Sequence, residues 1–176
     1  MKEKLFSTKF FFLTGLILAA VFSRLIPHPP NFAPIAAIAL FGGAYFDNKK
    51  LAFIVPFIAL LISDLVIGFY EGMWAIYLSF ALVVGIGFML RNRVNTGRVA
   101  IAAVSSSVLF FVVTNFAVWV SGFLYPMNFS GLVTCYTAAI PFFHNTLIGD
   151  LVYSGALFGL YALAKVKYPS LVETKA

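Results

Sequence analysis

Residues 51–70 read LAFIVPFIALLISDLVIGFY, a run of apolar side chains interrupted by one carboxylate, Asp64. At about 1.5 Å per helical residue such a run covers about 30 Å, the thickness of a bilayer's hydrocarbon core. Apolar and polar residues do not alternate in it, so it is not the strand of an outer-membrane barrel. Helix is the other backbone form that satisfies its own hydrogen bonds in lipid. Lys49 and Lys50 stand directly before the run and Glu71-Gly72 after it, which marks both of its ends.

Working outward, the same reading repeats. Apolar stretches at 10–26, 34–46, 73–90, 99–121 and 142–164 join 51–70 to give six expected transmembrane helices in one all-α membrane domain, residues 1–176. The second is too short to cross alone, so it is expected either to be helped across by the preceding loop or to be partly buried among its neighbours, and the proline-rich loop 27–33 is expected to dip into the protein. The stretch 122–141 is too apolar for a solvated loop and ends at Pro141. It is read as a short interfacial or re-entrant helix before the last span.

Composition agrees. Of 176 residues 62% are hydrophobic and 10% charged, with a mean hydropathy of +0.99, which leaves too little polar surface for a soluble globule. The net charge of +6 does not point to nucleic acid, because the basic residues stand at the ends of apolar runs, where they meet lipid headgroups. With a cytoplasmic N-terminus, six crossings put every Lys and Arg except Arg24 on the cytoplasmic side. Both termini are therefore expected in the cytoplasm, with the chain in the cell's inner (plasma) membrane. The basic start and the apolar run after it also fit a signal peptide, but Gly15 and Ala19, four apart, suit a retained, closely packed helix. Cys135 is the one cysteine, so intrachain disulfide chemistry is excluded, and no cofactor motif is present.

This topology gathers polar groups in the outer half of the bundle. Asp64, Asn115 and Asp150 are expected at its centre, with Arg24, His28, Asn31, Trp74, Trp119 and Asn145 around them. Charged groups in a bilayer are costly unless paired or wet, so two arrangements are open. One is an outward-facing pocket for a small polar molecule, in which the excess of carboxylates favours a cationic or amine-bearing substrate. The other is an internal salt bridge from Arg24 to Asp64 or Asp150. A metal-dependent intramembrane enzyme using His28, His144, Asp64 and Asp150 is the alternative reading, without an HExxH-like spacing to support it. A structural protein without a ligand is the third.

The stretch RLIPHPPNFAP at 24–34, with LFGGA at 40–44, Ser63-Asp64, TNF at 114–116 and NTLIGD at 145–150, resembles a family of small bacterial membrane proteins of unknown function. Six short helices, an outward pocket and a long apolar segment before the last helix also resemble the substrate-binding S component of energy-coupling factor (ECF) vitamin transporters. That resemblance implies a vitamin or related micronutrient bound on the outer side. It also implies partners, namely a transmembrane coupling protein and ATPase subunits. The chain carries no GxxxxGK[ST] phosphate loop of its own.

Overall fold

The computed structural model describes residues 7–171. They form six α-helices and, among the described residues, no strand: α1 Thr8–Phe22, α2 Ile35–Tyr45, α3 Lys49–Ile67, α4 Met73–Met89, α5 Thr96–Val120 and α6 Phe129–Lys167. Four helical stretches, Thr8–Leu25, Lys49–Ile67, Thr96–Val120 and Phe129–Lys167, are long and apolar enough to cross a membrane, while α2 and α4 are shorter apolar helices. The chain is thus an all-helical protein with the build of an integral membrane protein.

Side-chain caps begin several helices. Ser7, Asn48, Asn95 and Asn128 each accept from a free N–H in the first turn of α1, α3, α5 and α6. A short 3-10 turn, Ser23–Leu25, closes α1 before the prolines. α3 ends earlier than its apolar run, at Gly68, whose φ of +101° is open to glycine alone at no strain.

α2 is the centre of the bundle. All of its residues from Ala36 to Ala44 are buried, and it packs against each of the other five helices. At about 16 Å it is indeed too short to cross alone, and the bundle surrounds it. Close approach depends on glycine: a Cβ on Gly87 would lie 2.5 Å from the Leu40 carbonyl oxygen and 2.9 Å from the Cα of Gly43, so α4 sits on α2 with its backbone almost in contact. Of the preceding loop, only its end turns inward: residues 27–31 are exposed, while Phe32 covers Gly149 of α6 with its ring 5.7 Å from that of Tyr153.

Basic residues collect at one end. Lys9 pairs with Asp47 at 2.7 Å, and Arg91 donates to the carbonyls of Gly43, at 2.9 Å, and Phe46, at 2.5 Å, where α2 ends. Lys165 lies over the rings of Tyr45 and Tyr161. Lys2, Lys4 and Lys175, which the sequence also assigns to this side, lie outside the described residues.

One expectation is corrected, and one pair of small residues finds no neighbour inside the bundle. The stretch 122–141 is not a separate short helix: after a turn at Gly122, the residues from Phe129 onward are the first third of a continuous α6, with Pro141 inside it. A proline removes one helical N–H without having to end the helix, as Pro56 inside α3 also shows. Together with α5 this segment forms a hairpin running about 20 Å past the level where Ser107 meets Asp150. Gly15 and Ala19, read as a packing surface, face outward, with nothing within 4 Å of where a Gly15 side chain would begin. α1 is held instead by Leu13, Ile17, Ala20 and Val21.

Candidate functional site

At the end of the bundle opposite the basic residues, the 3-10 turn after α1 aims Arg24 back into the protein. Its Nη1 lies 2.9 Å from Oδ1 of Asp64, and the two side chains are 7% and 1% exposed. The same nitrogen donates to the Ser63 hydroxyl, which itself donates to the Leu60 carbonyl. Oδ1 of Asp64 receives no aligned hydrogen bond, so its contact with Arg24 is an ion pair directed by charge. Oδ2 is held by the Tyr77 hydroxyl of α4, which donates at 2.8 Å. Arg24, Ser63, Asp64 and Tyr77 therefore form one closed cluster joining α1, α3 and α4, with no net charge. In the α3–α4 connection, the Tyr70 phenol is pushed above its ordinary value by burial first and then by the nearby Asp64 charge, with Arg24 opposing.

An open groove of about 420 Å³ runs between α3 and α4, lined by Phe53, Ile54, Phe57, Ile58 and Leu61 on one side and Tyr77 on the other. Ile54, Ile58 and Leu61 are exposed on its outer side, so the groove faces the surroundings of the bundle along its length. Its wall is apolar throughout, and the Tyr77 ring, 5.5 Å from that of Phe57, is the surface it shares with the ion-pair cluster.

Asp150 has a different environment. It is 2% exposed, and Oδ2 accepts from the Ser107 hydroxyl of α5 at 2.6 Å. Among the described residues no Lys, Arg or His pairs with it. The salt bridge open in the sequence between Asp64 and Asp150 is formed with Asp64.

The other expected site residues do not join either carboxylate. Asn115 donates to the Phe111 carbonyl of its own helix at 2.8 Å. Trp119 donates to the Pro126 carbonyl and stacks on Phe116, closing the α5–α6 turn. Asn145 donates to the Pro30 carbonyl at 3.0 Å and so fastens the proline-rich loop to α6. Asn31 is exposed at a φ of +62°, Trp74 is exposed at the start of α4, and His28 is exposed beside its own loop's Pro29 carbonyl. His144 is exposed as well, and among the described residues no three His, Cys, Asp or Glu side chains gather. The metal-ligand set His28, His144, Asp64 and Asp150 is thus not assembled.

Ser63 and Ser107 were missed from the sequence. Ser63 adjoins Asp64 and is easily taken for helix filler. Ser107 lies in a short polar group, residues 105–107, that the sequence gives no reason to pair with a carboxylate of another helix. Tyr77, whose hydroxyl holds Asp64, is likewise set apart by nothing in the sequence.

Residues 4–171 match a family described as "Family of unknown function (DUF6580)". The chain belongs to this family. No curated protein and no solved structure matches the chain. Within the DUF6580 family the resemblance motifs have distinct places in this member: the 24–34 stretch supplies Arg24 and the loop on α6, 40–44 the glycine contact with α4, and 63–64 and 145–150 the two buried carboxylates.

Proposed function

We propose that this protein is the membrane-embedded substrate-binding subunit of an uptake system for a small micronutrient, a vitamin or its precursor. What supports the reading is one observation: the groove between α3 and α4 ends at Tyr77, the residue that holds the buried Arg24–Asp64 pair. In this proposal the ligand's apolar body lies along Phe53, Phe57 and Leu61, and its polar end takes over the Tyr77 bond to Asp64. Because Arg24 already neutralises Asp64, the preference for a cationic substrate does not hold at this cluster. A neutral or zwitterionic polar end fits it better. Asn115, Trp119, Asn145 and His28 leave the recognition set.

The working arrangement would be that of an ECF-type S component, in the cell's plasma membrane, with the basic end and both termini cytoplasmic by the positive-inside rule. Energy would come from separate coupling and ATPase subunits.

The test is a thermal-shift screen of the detergent-purified chain against vitamins and their precursors, repeated with Tyr77→Phe. A stabilising compound whose effect is lost in Tyr77→Phe supports the reading. No stabilising compound, together with normal growth of a strain lacking the gene under micronutrient limitation, refutes it.

A second reading is favoured by the same cluster: Arg24, Ser63, Asp64 and Tyr77 satisfy one another without a guest, as a brace joining three helices would. Under that reading Tyr77→Phe lowers stability and changes no transport or binding phenotype.

A further inference from the structure

Asp150 is a buried carboxylate without a countercharge, and its surroundings contain a second unmet oxygen. Ser154, one turn along α6 on the same face and 1% exposed, has a hydroxyl with no hydrogen-bond partner. Most hydroxyls in these helices behave otherwise: those of Ser79, Ser106, Thr114, Thr134 and Thr137 each donate to the carbonyl four residues back. Ser154 does not donate to the Asp150 carbonyl in that way, and Thr14 of α1 is the other buried hydroxyl without a partner among the described residues. Oδ1 of Asp150, one helical turn from Ser154, also receives no hydrogen bond among the described residues.

We infer that Asp150, Ser107 and Ser154 form a binding site for a small monovalent cation, sodium in size, between α5 and α6. A charge buried in a bilayer protein must be nearly balanced, and one carboxylate balances one positive charge, so a divalent ion is disfavoured. A carboxylate with hydroxyls is a hard oxygen donor set, suited to a hard cation. A proton would also neutralise Asp150, by reversing its bond with Ser107 so that the Ser107 hydroxyl donates to the Ala103 carbonyl, 3.1 Å away. That arrangement leaves the Ser154 oxygen unmet, whereas a cation between α5 and α6 draws on it. The site shares no residue with the Tyr77 groove, so its failure and the failure of the micronutrient reading are separate results.

The test is thermal unfolding of the purified full chain at constant ionic strength, with sodium chloride exchanged for choline chloride, at two pH values a unit and a half apart. Sodium is expected to raise the melting temperature by several degrees, saturably. Ser154→Ala, which removes one oxygen from a side chain that bonds nothing else, is expected to raise the half-saturating sodium concentration by about tenfold or more. Asp150→Asn is expected to abolish the response and, if it folds, to melt higher than the native chain in choline. A melting temperature indifferent to sodium overturns the inference. So does one that rises on acidification without any sodium response, which would mark Asp150 as a proton site only, and so does a response unchanged in Ser154→Ala.

Discussion

Replacing Arg24 with methionine removes a charge whose partner is almost wholly enclosed. Asp64 is 1% exposed, with Arg24 Nη1 2.9 Å from one oxygen and the Tyr77 hydroxyl 2.8 Å from the other. In Arg24→Met the Tyr77 bond remains but the countercharge is gone. Breaking a buried ion pair from one side costs about 3–5 kcal/mol, because the charge left behind has neither water nor a partner. Solvent screening does not reduce this figure much, since neither side chain is more than 7% exposed. Asp64→Leu strands the Arg24 cation instead and is expected to cost about as much, less whatever the guanidinium recovers by turning outward from the end of α1. Arg24→Met/Asp64→Leu removes both charges and with them both desolvation penalties, so it is expected to lie within about 2 kcal/mol of the native chain. The four proteins form a double-mutant cycle whose coupling energy should reach about 3 kcal/mol, measured by reversible unfolding in bicelles. Two single variants that each cost less than about 1 kcal/mol and add without coupling would refute the pairing as a determinant of the fold.

Gly87→Ala should destabilise the protein by about 1–3 kcal/mol, because its Cβ meets backbone atoms of Leu40 and Gly43 that cannot move without parting α2 from α4. Gly155→Ala, at a position with nothing within 4 Å, should be neutral or gain about 0.5–1 kcal/mol of helix propensity; equal melting temperatures for the two variants would argue against the close α2–α4 contact. Arg91→Leu removes donors to the carbonyls of Gly43 and Phe46 at the end of α2 and should cost about 3 kcal/mol, with Arg91→Lys recovering only part. Chemical unfolding that finds lysine fully equivalent there would show that charge alone, rather than the forked geometry, holds the end of α2.

Most of the helical plan was legible because bilayer burial writes itself into composition. A run such as 51–70 needs no knowledge of its neighbours to be read as a span. The shortness of 34–46 likewise foretold the burial of α2, since 11 helical residues cannot cross unaided. The reading failed at Pro141, where a proline was taken to end a helix although the chain carries another, Pro56, inside the run 51–70 that was read as one helix. Gly15 and Ala19 show a different limit: small residues four apart permit close packing without stating which helix arrives, and none within the bundle does. The neighbour did arrive at Gly43 and Gly87, where the sequence pattern is no stronger.

The polar residues were harder, because depth in the membrane is a one-dimensional property and a site is three-dimensional. Sequence placed Asp64, Asn115 and Asp150 in one layer, but could not assign the contents of that layer to partners. Asn115 spends its amide on its own backbone, which any helix allows, whereas Arg24 reaches Asp64 because a 3-10 turn ends α1 before the prolines. That turn divides the roles of the two carboxylates. Among the described residues Arg24 is the cation that ion-pairs at this level, and by pairing with Asp64 it leaves Asp150 without a countercharge. A chain under selection for stability alone has a simple remedy at position 150, since asparagine could still accept from Ser107 without the cost of a buried charge. The aspartate that stands there instead is therefore the residue whose presence the packing of this fold does not explain, and a bound cation would account for it.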